Sequence, residues 1–184
     1  MSGAFTSFRR FLLFFAALQA IFFLAGCGAK TPWSGETLPT KLYIDAPRNF
    51  VVEFPGNWAR FVDPDQPFVP SADVVGWESP EQRSTEAAAR MAVASLHRGM
   101  EREVAIKSIL AELPDLTIEK HGEERINKLR APTLLGATAQ RRYYIILVGE
   151  PLISHVLVYS ALSEDFDRYR PQFKEMVTSF ETLR

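Results

Sequence analysis

One cysteine, three histidines and no surplus of basic charge leave this chain short of the residues that most site chemistries need. A single thiol cannot close an internal disulfide, so the fold must rest on its apolar core. His97, His121 and His155 lie far apart, and no H-E-x-x-H, C-x-x-C or G-x-S-x-G run occurs. That removes the local signatures of zincins, dithiol redox proteins and hydrolases with a nucleophile elbow. Gly26-Cys27-Gly28-Ala29-Lys30-Thr31 lacks the glycine that a phosphate loop places directly before its lysine, and no helical pattern follows. His97 with Glu101 is a weak metal pair, because a useful site takes three or four ligands. Asp63 with Asp65, and Glu123 with Glu124, read as turn residues and solvated charge.

An apolar run long enough to span a bilayer is also missing. Residues 1–10, MSGAFTSFRR, carry two arginines and no acid, and residues 11–24, FLLFFAALQAIFFL, are apolar except for Gln19. A spanning helix takes about 18–20 apolar residues, so this shorter run reads as the n-region and h-region of an export signal. Removing residues 1–26 leaves 19 basic and 22 acidic residues, formally −3. Without a basic field, nucleic acid and anionic headgroups are poor partners.

The only cysteine stands where that run ends. Leu24-Ala25-Gly26-Cys27 resembles the lipobox of bacterial lipoproteins: a leucine, two small residues and a cysteine closing a short signal peptide. The resemblance implies cleavage between Gly26 and Cys27, a diacylglycerol on the Cys27 thiol and acylation of the new amino terminus. A covalent lipid on Cys27 is then the only prosthetic group expected, with no other cofactor, no metal and no disulfide-linked partner. Each buried methylene contributes about 0.8 kcal/mol, and two or more chains hold durably where one does not. Phe8 precedes Arg9-Arg10 where twin-arginine signals prefer serine or threonine, which favours the ordinary secretory route. Gly28 lacks the aspartate that retains enteric lipoproteins at the inner membrane, so the outer membrane is slightly favoured; the expected location is lipid-tethered, facing the periplasm or exterior.

Residues 27–40 form the lipidated terminus and tether: two glycines, two prolines and no period within GAKTPWSGETLPT. Such a linker has an r.m.s. reach of about 20 Å and keeps the domain beside the bilayer. Trp33 interrupts it, with the lipid interface or the domain surface as its resting place.

Residues 41–184 are expected to form one domain. Leu42–Ile44 and Phe50–Phe54 read as strands around the turn Ala46–Asn49, and three prolines make residues 62–72 an extended loop. Asp73–Glu78 and Arg90–Leu96 are strand candidates, and SPEQRSTEAAA between them has some helical tendency. Ile106, Ile109, Leu110 and Leu113 place a helix over Glu101–Leu113 that Pro114 stops. Thr117–Glu119 and Arg125–Leu129 carry the charges of edge strands. YYIILV and LISHVLVYSAL, joined by Gly149-Glu150-Pro151, are apolar on both alternating faces and mark the sheet centre. Phe166, Tyr169, Phe173, Val177 and Phe180 form a helical stripe that Ser163 can cap and Pro171 should kink.

FVVEFPGNW at Phe50–Trp58, the middle helix, the two apolar strands and FKEMVTSF at Phe173–Phe180 resemble the PsbP and DcrB superfamily. The resemblance implies an α+β fold, an antiparallel sheet between helices in an α/β/α sandwich. No metal ligand of the photosynthetic members carries over to matching positions, and fold alone assigns no activity.

The reading is therefore a non-enzymatic, lipid-tethered binding or assembly module whose partner is another envelope protein. Phe61, Phe68 and Trp77, with Trp58 nearby, are the candidate contact surface, since aromatic residues supply much of the energy of interfaces; burial of Trp58 and Trp77 in the core is the competing reading. His155 reads as a core histidine on one face with Ile153, Leu157 and Tyr159. The alternatives are an exported hydrolase whose histidines and carboxylates meet only in the fold, and a small-molecule or ion carrier for a transporter.

Overall fold

The computed structural model describes residues 39–61, 72–83 and 85–183. The signal segment, Gly26, Cys27, Gly28, Trp33 and Phe68 lie outside the described residues.

Two strands open the domain, β1 (Thr40–Asp45) and β2 (Phe50–Pro55), paired antiparallel from Thr40 opposite Pro55 to Asp45 opposite Phe50. The turn closes because Asp45 Oδ1 accepts the Arg48 N–H at 3.2 Å and Asn49 takes the left-handed region at φ 63°, which asparagine tolerates. Then follow β3 (Ala59–Phe61), β4 (Ala72–Glu78), a small hairpin of β5 (Gln82–Arg83) and β6 (Glu86–Ala87), and β7 (Ala89–Met100). Helix α1 (Arg102–Glu112) leads to β8 (Thr117–Ile126), β9 (Leu129–Ala137), β10 (Arg141–Val148) and β11 (Ile153–Leu162); α2 (Phe166–Ser179) and the short β12 (Glu181–Thr182) end the chain.

Seven strands form one antiparallel sheet in the order β3-β4-β7-β11-β10-β9-β8, with β11 at its centre, as its two-faced apolar character predicts. Alternate residues feed two cores. Val75, Val93, Ile146, Leu157 and Tyr159 pack with α2 and with Phe50 and Val52 of the small sheet β1-β2-β12. Val74, Ala92, Ile145, Val156 and Val158 pack with Ala105 and Ile109 of α1. The result is an antiparallel sheet covered on both faces by helices, with the small sheet beside α2.

Several local expectations change. The Ser79–Ala89 connector forms the β5–β6 hairpin rather than a helical turn, because Arg83 reaches Glu81 at 2.7 Å and Asp165 at 3.4 Å, while the Tyr169 hydroxyl donates to Glu81 at 2.9 Å. These contacts fasten the hairpin to the start of α2. The first charged segment extends into one long strand, β8, which is the sheet edge, while the expected strand Arg125–Leu129 instead spans the Asn127–Lys128 turn from the end of β8 to the start of β9. Its partner β9 escapes sequence reading because Pro132 interrupts it; the pairing of β9 with β10 covers only Thr133–Ala137, so no bond on that side needs the missing N–H. Ser163 does not cap α2. Its hydroxyl donates to Gln140 O, and the chain turns once more before Asp165 takes the N-cap position without a side-chain cap bond. α2 continues through Pro171, whose ring faces the carbonyl of the exposed Asp167. In α1 only Ala105 and Ile109 are fully buried; Ile106, Leu110 and Leu113 flank the core half-covered. A bulge between Ile153 and His155 puts Ile153 in the α1 core, so His155 shares its face with Leu157 and Tyr159 alone.

Candidate functional site

His155 meets the β1–β2 turn directly, and His97 is linked to it only through Asp73. The Arg48 side chain donates to Asp45 Oδ2 at 2.9 Å and lies 3.4 Å from Asp73 Oδ2, and His97 Nε2 is 3.9 Å from Asp73 Oδ1. The Arg48 carbonyl stands 3.0 Å from His155 Nε2. His121 is elsewhere, exposed on the edge strand β8. Asp45 is buried yet fully engaged, since the Tyr43 hydroxyl also donates to it at 3.0 Å. Among the described residues no three histidine, cysteine or carboxylate groups gather as a metal site.

The chemistry of this cluster is that of a clamp. With Nε2–H donating to the Arg48 carbonyl, Nδ1 of His155 accepts from the Ser154 hydroxyl at 2.9 Å. Both ring nitrogens are thus occupied, and Phe50 and Phe180 enclose the ring with centroids 5.8 and 5.5 Å away. The arrangement ties the turn of the small sheet to the centre of the large one.

Burial pushes the His155 imidazole below its ordinary value, and the hydrogen bond to Arg48 offsets part of that. The unfolded chain therefore binds this proton more readily than the folded one. Its contribution to stability is complete above about pH 6.5 and declines as pH falls from there toward the folded value, by at most about 1.4 kcal/mol per pH unit. His155→Gln should flatten the wild-type loss of stability between pH 7 and 5 in urea unfolding. Parallel profiles for the two proteins would show that His155 is not the titrating group.

The aromatic contact surface separates into its members. Trp77 is fully buried, stacked on Phe54 at 4.8 Å and edge-on to Tyr43 at 5.4 Å, so it presents no surface to a partner. Trp58 is buried against Tyr169. Phe61 is half-buried against the α1 core, with the Arg90 guanidinium 5.9 Å from its ring centroid. An open groove of about 530 Å³ lies elsewhere, lined by Arg83, Thr85, Glu86, Gln140, Ser163 and Glu164; no histidine lines it.

The surface that stands out is β1. Leu42 and Ile44 are 61% and 60% exposed, the highest values among the large apolar residues described. The strand alternates the wrong way for a solvated edge: polar Tyr43 and Asp45 are turned inward while Leu42 and Ile44 face out. Buried Asp45 is tolerated because Arg48 and Tyr43 satisfy it. Among the described residues β1 is also an unpaired edge of the order β1-β2-β12. Gly56 N–H donates to Pro39 O at 2.7 Å on one side of β2's pairing, and Leu183 N–H donates to Asn49 O at 2.9 Å on the other. With the registers of both pairs, these bonds direct the backbone groups of Lys41, Tyr43 and Asp45 into β2. Those of Thr40, Leu42 and Ile44 point outward. The inverted alternation in TKLYID is the signal that sequence reading passed over.

No family model and no curated protein sequence matches the chain. Solved structures do. The solution structure of the cyanobacterial PsbP protein (CyanoP) from Synechocystis sp. PCC 6803 aligns with a TM-score of 0.55 at 11% identity, covering 81% of this chain and 95% of that one. The fold is PsbP-like. The crystal structure of the Saccharomyces cerevisiae Ran-binding protein Mog1p aligns with a TM-score of 0.51 at 12% identity, covering 80% of this chain and 97% of that one. At such identities the PsbP-like likeness concerns the fold.

Proposed function

We propose that the chain is a lipid-anchored bacterial lipoprotein whose PsbP-like domain works as a non-enzymatic binding or assembly module in the cell envelope, with β1 as its docking edge. The carrying observation is the coincidence on one strand of outward backbone donors and acceptors with the exposed side chains of Leu42 and Ile44. An added strand would gain main-chain hydrogen bonds and bury two large apolar side chains at once, which is how sheet edges recruit extended segments. Of the named neighbours, one is a Ran-binding protein, so binding is among the uses of this fold.

Photocrosslinking in whole cells tests the reading. The protein with Leu42→Asp and Ile44→Asp should lose at least tenfold of the adducts formed by the wild type, with an unchanged melting temperature because both side chains already face water. Adducts undiminished by the substitutions would remove β1 as the docking edge. Absence of any adduct, together with turnover of ester or peptide substrates by the purified protein, would favour the hydrolase alternative.

A further inference from the structure

We infer that the strand docking on β1 is β1 of a second copy of this chain, joined antiparallel about a two-fold axis to make one continuous six-stranded small sheet. This rests on the docking-edge reading and names its occupant. Antiparallel pairing joins hydrogen-bonding positions to hydrogen-bonding positions, so outward Thr40, Leu42 and Ile44 must meet outward residues of the partner strand. In the register that sets Leu42 of one copy opposite Ile44 of the other, both apolar residues gain an apolar neighbour. Sliding by two residues one way opposes Leu42 to itself and Ile44 to Thr40, and sliding the other way opposes Ile44 to itself and Leu42 to Ala46; each leaves a large apolar residue of both copies facing a polar or small one. The strand is thus self-complementary in one register, the requirement of an isologous interface.

A pair of six-residue strands is smaller than the interfaces of about 1,200–2,000 Å² that hold stable complexes. The pairing is accordingly weak in dilute solution and is strengthened where both copies are held at one membrane surface, which raises their effective concentration.

The test uses the full-length acylated protein with a benzophenone amino acid in place of Leu42. It is reconstituted alone into phosphatidylethanolamine–phosphatidylglycerol vesicles at high lipid dilution, and in parallel irradiated in cells. Covalent dimers are expected in both settings, with the adduct mapping to residues 42–46 of the second copy. Ile44→Pro should cut the dimer yield at least tenfold: it removes one outward N–H without touching the β1–β2 bonds, so the melting temperature should stay near that of the parent. Ile44→Lys provides a second variant that keeps the N–H but loses the apolar contact, and it should give an intermediate yield. Monomers in vesicles with adducts to a different protein in cells would overturn the self-pairing while leaving the docking edge standing. Monomers in vesicles and no adducts in cells would overturn both.

Discussion

Trp77→Ala is expected to cost the domain about 3–5 kcal/mol, the range for emptying a large aromatic site in a packed core. The indole is fully buried against Phe54 and Tyr43, which with Phe50 and Val52 seat the small sheet on the large one. Removing it leaves a cavity at the junction of the layers and strips two aromatic contacts, and the backbone on both sides is held by its own strand ladders, so collapse into the void is limited. Guanidinium unfolding should show the full loss, with a fall in melting temperature of roughly 6–20 °C for a domain of this size. A loss under 1 kcal/mol would mean that the small sheet is not packed on Trp77 in solution. Trp58→Ala, at a site edge-on to Tyr169, should show a cost of the same kind.

The second large effect concerns the proposed anchor. Cys27→Ser removes the only thiol in the chain, and with it the atom to which a diacylglycerol could be joined. Among the described residues no helix is long and apolar enough to cross a membrane. The wild type should therefore sediment with membranes and require detergent for release, while the variant either is exported in soluble form or keeps its leader uncut. The domain's urea midpoint should be the same in both proteins. An equal membrane fraction for the wild type and a variant processed at Gly26 would show that binding is not through the thiol.

Legibility from sequence follows a physical divide. β10 and β11 are readable because a strand buried on both faces is nearly continuous in apolar character, and residues 143–148 and 152–162 are, apart from Ser154, His155 and Ser160. α2 is readable from the step of Phe166, Tyr169, Phe173, Val177 and Phe180, four aromatic residues and a valine, all of which reach the core. β9 is obscured by Pro132, harmless only because the neighbouring strand stops short of it, a fact of pairing that no local pattern carries. The contact of His155 with the Arg48 carbonyl joins the β1–β2 turn to the central strand β11 across a long stretch of sequence, so no spacing could announce it. The candidate site was half visible. TKLYID displays its alternation openly, but which face looks outward depends on what lies beneath, and here the polar set is inside because Arg48 and Tyr43 neutralise Asp45. The loop aromatics drew attention as a contact surface by composition, whereas Trp77 serves the core.

The proposed role places a binding edge at the end of a short tether beside a lipid surface. It stands on the chemical state of one sulfur. Intact-mass and amino-terminal peptide spectrometry of the protein extracted from membranes measures that state directly. The account predicts a chain beginning at Cys27, heavier than its sequence by a diacylglyceryl group and a further acyl chain, with the mass located on the first residue. A free thiol at Cys27, or a chain still carrying residues 1–26, would contradict it.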